Sequence, residues 1–303
     1  MNRLLERLFF ESSWECVYRR LEGAPLSKSD RPFSTIRVSK RYWCADPFLA
    51  EENGSCYFFC EVMDRRTSRG LLGVGRLNPH GDSGIDRLID LNCHSSYPNV
   101  FKYRDRWYLI PETIDRRTIE LYRAVRFPYE WERAADLQTG IGAVDTTAFV
   151  RNGRVYLFIY EPGRDASDLS LAELDMDALT LGGIRHVRRY AQKLGRPAGG
   201  VLQIDDADVR PTQCGVKFYG ERIIAKAFRF AEDGDAYEEA DWAEMDAGAL
   251  NVGGKPVGTH TYNCCGGYEI YDILRRKFRP LRPVQLALKK LRLGGYRFYD
   301  RSE

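Results

Sequence analysis

No stretch of this 303-residue chain approaches the roughly 20 consecutive apolar residues that a membrane-spanning helix needs. The N-terminal run "LLERLFF" is broken by Glu6 and Arg7, so it does not read as a secretory signal. No CxxC pair has zinc-site spacing. The eight cysteines are scattered at 16, 44, 56, 60, 93, 214, 264 and 265, and a chain this long does not need disulfide staples. Reduced thiols and a cytoplasmic location are expected. Histidine is scarce, with four residues, and His80, His94 and His186 read as loop residues. Long helical periodicity is scarce as well.

Aromatic residues are abundant at 13%, with 18 Tyr, 15 Phe and 5 Trp, a composition that favours strands and also suits carbohydrate sites. Net charge is +3, unevenly placed. From Arg275 onward ten Lys/Arg face two Asp/Glu, a net of +8, which leaves the rest of the chain at −5. An acidic body argues against nucleic-acid binding. In the tail, "PVQLALKKLRL" sets Val284, Leu288 and Leu291 on one helical face. This predicts a helical C-terminal addition that either packs on the body or makes peripheral contact with an anionic membrane.

Short alternating runs fill the body: "CYFFCE", "RWYLIPE" and "RVYLFIYE", separated by Gly, Asn and Asp turns. They predict an all-β chain. Related units open at Asp46, Tyr97, Asp145, Arg196 and His260, at intervals of 51, 48, 51 and 64 residues. A repeat of about 50 residues made of short strands predicts a five-bladed β-propeller. The expected organisation is a lead-in at 1–30, the propeller at 31–274 and a basic tail at 275–303. Trp107 lies mid-strand and reads as blade packing.

In a blade, the second strand of a hairpin returns to the level where the first began. Asp46, Tyr97, Asp145, Arg196 and His260 are therefore expected as an inner ring at one mouth of the channel. Glu61, Glu112, Glu161 and Gln213 form a second ring, with Arg210 close by. Asp, Thr and Pro at strand starts also serve turns. Carboxylates gathered at equivalent ends of several blades nevertheless shift one another's pKa values, which is a mark of functional sites. Tyr97 suits either a sugar platform or the core. No ligand spacing requires a metal; a divalent cation held by the carboxylates remains open, and no cofactor is required.

"ADPF", "VDTTAF" and the period resemble the five-bladed propellers of glycoside hydrolase family 43. That resemblance implies Asp46 as general base and Asp145 as the residue that tunes a catalytic acid. The acid itself, a Glu opening the fourth blade, is replaced by Arg196 in "GRPAGG". The ordered set "WECVYR", "ADPF", "YPNVF", "IPET", "IELYRAVRFPYEW", "VDTTAF", "RPAGG", "RPTQ" and "GTHTYN", from Trp14 to Asn263, more closely resembles the N-terminal domain of glucosamine inositolphosphorylceramide transferases and bacterial relatives. It implies a carbohydrate-active protein of surface polysaccharide or glycolipid assembly that uses a sugar nucleotide or lipid-linked sugar; the basic tail adds the expectation of a place at the inner face of the membrane.

Three readings follow. In glycosyl transfer from an activated donor, Asp46 deprotonates the acceptor, and Arg196, Arg210 and His260 hold the departing charge. In hydrolysis, Glu112 or Glu161 replaces the acid. In the third, the propeller binds glycans without turnover.

Overall fold

The computed structural model describes residues 8–27, 29–231 and 236–284. They form five antiparallel sheets of four or five strands each, a five-bladed β-propeller. The first blade runs Tyr42–Glu52, Ser55–Asp64, Arg69–Arg76 and Arg87–Ile89. The second runs Ser96–Tyr103, Arg106–Glu112, Thr118–Arg126 and Glu130–Thr139. The third begins with Val144–Arg151, Arg154–Glu161 and Ala166–Asp175. In the fourth, Leu194–Pro197 and Leu202–Ile204 both pair with Ala207–Cys214, followed by Arg222–Phe230 and Tyr237–Asp246.

The fifth blade is built from both ends of the described chain. Tyr262–Cys265 pairs with Tyr268–Phe278, which pairs along its whole length with Phe10–Arg20, from Phe10↔Phe278 to Arg20↔Tyr268. Residues 10–20 are thus a blade strand and not the lead-in expected from the sequence. The last strand likewise carries four residues past the boundary expected at 274. This closure leaves no open seam between first and last blades, which answers the edge-strand problem. Of the expected C-terminal helix, residues 285–303 lie outside the described residues.

The repeat has a backbone cause. Asp46, Tyr97 and Asp145 have φ of 50°, 43° and 50°, and each lies in a β-bulge, between Ala45 and Phe48, Ser96 and Asn99, and Val144 and Thr147. A bulge with one left-handed residue bends the strand and re-aims its side chain. Left-handed backbone costs an L-residue roughly 1–2 kcal/mol, so its recurrence at three blades is a designed feature of the channel wall. In the fourth blade the bulge falls between Leu194 and Arg196, and the left-handed residue is Gly195.

Between blades, aromatic pairs form the core: Phe48 meets Tyr97 edge-on at 4.8 Å, and Phe158 meets Phe228 at 5.1 Å. Trp107 stacks on Phe127 at 4.4 Å, the blade packing expected of it. The channel centre is filled. The Tyr97 hydroxyl receives the Gly199 N–H at 2.8 Å, and Asn263 donates to the Pro47 carbonyl at 2.6 Å while accepting from the Gly200 N–H. Gly199 is required there, because a Cβ would sit 1.9 Å from the Tyr262 carbonyl oxygen.

Candidate active site

Side chains drawn from all five blades meet at one end of the channel, in two groups. The first group spans the junction of fifth and first blades. Asp46, 6% exposed, accepts from the Thr261 hydroxyl at 3.0 Å, and its backbone N–H donates to Asp272 Oδ2 at 3.0 Å. The other Asp272 oxygen receives the N–H groups of His260 and Thr261 at 2.9 and 3.0 Å. His260 lies between the two carboxylates, its Nδ1 2.5 Å from Asp272 Oδ2 and its Nε2 3.6 Å from Asp46 Oδ1.

Burial pushes the Asp46 carboxyl above its usual range; His260 opposes this and Asp272 adds to it. Burial alone would lower His260, but the carboxylates of Asp272 and Asp46 outweigh it and raise the imidazole. Asp46, His260 and Asp272 each offer one ligand atom, all within 4.8 Å of one another. A cation could use this set, which no sequence spacing announces because its members come from first and last blades. Three protein ligands fall below the six to eight oxygens that calcium takes, about twice as many, and a protonated His260 neutralises the same two carboxylates.

The second group joins the second, third and fourth blades. Arg196 grips Asp145 with two bonds, Nε to Oδ2 at 2.5 Å and Nη2 to Oδ1 at 3.0 Å, and Nη2 also reaches Glu112 at 3.2 Å. Gln213 donates to Asp145 Oδ2 at 3.0 Å, and the Asp145 N–H points at Glu112 Oε2. Burial raises the Asp145 carboxyl against the pull of Arg196, and Glu112 raises it further. Burial works against the Arg196 charge, but Asp145 and its neighbours outweigh it, so the guanidinium stays protonated. Arg196 Nη1 makes no hydrogen bond among the described residues, and the side chain is 21% exposed.

An aromatic wall flanks both groups. Trp14 stacks on His260 at 4.0 Å, Tyr219 meets His260 edge-on at 5.0 Å, and the Arg196 guanidinium lies 5.8 Å from the Tyr219 ring. Tyr219 is 40% exposed. Gly220, at φ 73°, lets this loop close on Trp14, since a Cβ would meet the indole at 2.3 Å.

The structure therefore brings together Asp46, Glu112, Asp145, Arg196, Gln213 and His260 of the residues expected in the rings. Four others lie elsewhere. Glu61 is buried at the junction of first and second blades, 3.4 Å from His94. Tyr97 is fully buried, its hydroxyl bonded to Thr147 and Gly199, so it belongs to the core and is no sugar platform. Glu161 is exposed: Val144 pairs with Tyr160, and the next residue projects to the opposite face. Arg210 is consumed by Glu239, Tyr190, Tyr237 and the Gly195 carbonyl between third and fourth blades. It supports the Gly195 bulge without reaching the mouth. Three residues of the site escaped the sequence reading: Thr261, Asp272 and Tyr219. For Asp272 a signal existed, because "YEIYD" ends its hairpin on a carboxylate as "CYFFCE" and "RWYLIPE" do.

The family described as glucosamine inositolphosphorylceramide transferase 1, N-terminal, matches residues 34–233. The chain belongs to that family. A relative from Oryza sativa subsp. indica, glucosamine inositolphosphorylceramide transferase 1, is 37% identical over 89 residues, 29% of this chain and 12% of the relative. The Arabidopsis thaliana protein of the same name is 33% identical over 90 residues, again 29% and 12%. The match to these curated relatives thus spans about an eighth of their length.

Among solved structures, the family member is similar to a GH43_1 enzyme from Xanthomonas citri complexed with xylose. The TM-score is 0.55 at 13% identity, covering 79% of this chain and 88% of the other. It is also similar to an exo-1,5-alpha-L-arabinanase from a bovine ruminal metagenomic library, at TM-score 0.51 and 12% identity, covering 79% and 95%. The catalytic domain of a Coprinopsis cinerea GH62 alpha-L-arabinofuranosidase gives 0.54 at 12%, covering 83% of each. These likenesses are of fold.

Proposed function

We propose that this propeller acts at the anomeric centre of a glycosyl group and transfers it from an activated, diphosphate-linked donor to a hydroxyl acceptor in glycolipid or surface-glycan assembly. The observation that carries this reading is the division of charge at the mouth. A buried carboxylate with a raised pKa, Asp46, faces the site from one side, and a guanidinium with one open edge, Arg196, faces it from the other.

Asp46 takes the proton of the acceptor O–H. The acceptor oxygen attacks the anomeric carbon, the bond from that carbon to the phosphate oxygen breaks, and its electron pair leaves with the diphosphate. Such a leaving group needs cationic and hydrogen-bonding support more than protonation, and Arg196 Nη1 supplies it at the mouth. Tyr219, partly exposed at the mouth, adds an aromatic surface against which a sugar can pack. Hydrolysis of an ordinary glycoside instead requires a carboxylic acid beside the leaving oxygen. Glu112 is the nearest candidate, and its Oε2 is already engaged by Arg196 and the Asp145 N–H. The names of the plant relatives, glucosamine inositolphosphorylceramide transferases, support the same direction.

The test is a parallel panel of nucleotide sugars with lipid acceptors and of aryl glycosides. Consumption of a nucleotide sugar with acceptor-dependent product supports transfer. Release from an aryl glycoside, with no nucleotide sugar consumed, sinks it in favour of hydrolysis.

A further inference from the structure

The last strand leaves the core at Leu274, which pairs with Gly258 at the level of the site, and continues to Phe278, paired among the described residues with residues 10–13. This two-stranded ribbon runs beside the loop that carries Tyr219. Arg276 lies 5.1 Å over the ring of Phe218, whose chain neighbour Tyr219 leans on His260. At its tip Phe278 is 61% exposed, and Leu281 and Val284 just beyond are 68% and 58% exposed. Isolated apolar side chains on a surface are ordinary; a run of three at the end of one projection is not.

The charge around them is one-sided. Residues 275–284 hold Arg275, Arg276, Lys277, Arg279 and Arg282 with no carboxylate, and the sequence continues into Lys289, Lys290 and Arg292. The facing strand supplies Glu11 and Glu15, which pair with Arg279 and Arg275 and leave an excess of cations. Apolar tips set among long cationic side chains match the interface of an anionic bilayer, where the tips enter the acyl boundary and the cations meet headgroup phosphates. The core of a protein interface is depleted of charged residues, whereas here five cations crowd ten residues around the apolar tips.

We infer that this ribbon and the residues following it to Val284 dock the propeller on an anionic lipid surface, with the mouth of the site turned toward the headgroup layer. The inference stands apart from the chemistry proposed above, because its readout is binding without turnover. It also gives that chemistry a lipid-linked acceptor within reach.

The experiment is co-flotation of the full chain with vesicles of phosphatidylcholine alone or mixed with phosphatidylglycerol, at low and high salt. Wild type floats with the anionic vesicles only, and salt weakens it. Arg276→Ala/Lys277→Ala weakens partition about 30-fold at low salt. Phe278→Ser/Leu281→Ser weakens it about tenfold or more at unchanged Tm, since both side chains are exposed. Failure of wild type to float at low salt overturns the inference, as does equal flotation of the Phe278→Ser/Leu281→Ser variant. A wild-type dimer that this variant converts to monomer, with no vesicle binding, overturns it too and assigns the patch to self-association.

Discussion

Asp272 in the last blade accepts the backbone N–H of Asp46 in the first, at 3.0 Å, and so ties the candidate base to the closure of the ring. The same carboxylate holds the N–H groups of His260 and Thr261. Three backbone donors and one imidazole thus depend on a group with no exposed surface. Asp272→Ala is expected to cost about 3–5 kcal/mol, the usual consequence of removing one partner of a buried charged network. Asp272→Asn keeps an acceptor oxygen and should cost less. Urea unfolding of the three proteins measures this; equal stability would separate Asp272 from ring closure.

Arg196 stands between Asp145 and Glu112, and its removal takes the guanidinium away from two buried carboxylates. Arg196→Ala should destabilise by about 3–5 kcal/mol near neutral pH. The sign of its pH dependence follows. Without the guanidinium, burial raises the folded-state pKa of Asp145 further above its unfolded value. A raised carboxyl is stabilising below the unfolded pKa, and that contribution is lost as pH rises through the folded pKa. The variant should therefore regain stability relative to wild type on acidification, and urea midpoints across pH read this directly. A constant deficit would place the cost of the substitution in packing.

His260 predicts a second pH dependence. Its folded pKa is raised above the ordinary 6.5. The stability it contributes is complete below that value and is lost as pH rises through the folded pKa. The Tm gap between wild type and His260→Asn should shrink as pH rises beyond the ordinary imidazole value of about 6.5. A gap that widens with pH would mean that the imidazole is neutral in the folded protein.

Tyr219 is partly exposed at the mouth and meets Trp14 and His260 edge-on. Tyr219→Ala should raise KM for the glycosyl donor about tenfold with kcat changed less, and Tyr219→Phe should stay near wild type if the ring face is what counts. A fall in kcat at constant KM in both variants would instead make the hydroxyl part of the chemistry.

Why some of the site could be read from the sequence and some could not is a matter of strand register. Asp46, Tyr97 and Asp145 stood out because each occupies the same left-handed bulge, and a bulge that bends every blade leaves a repeat in the sequence. Glu112 lies 15 residues after its bulge and reaches the site. Glu161 lies 16 after its bulge, and one residue in a strand reverses the face, so Tyr160 takes the inward position and bonds the Leu194 carbonyl. Arg210 lies on a blade strand near the mouth in sequence, but Glu239 on a distant strand captures it, and long-range pairing of that kind leaves no local signal. Tyr219 comes from a loop outside the repeat, where periodicity is silent.

The central claim is that Asp46 is the base of a glycosyl-transfer site. Its most direct test is acceptor-dependent consumption of a nucleotide sugar by wild type and Asp46→Asn, measured against pH with the Tm of both proteins. Asn keeps the size of the side chain and can still accept from Thr261. The account predicts a loss of turnover of at least about a hundredfold at a Tm within a few degrees of wild type. In the wild type, the rate should rise with pH through a value above the ordinary aspartate range, as burial of Asp46 requires. Turnover retained by Asp46→Asn, with the same pH profile as wild type, would contradict it.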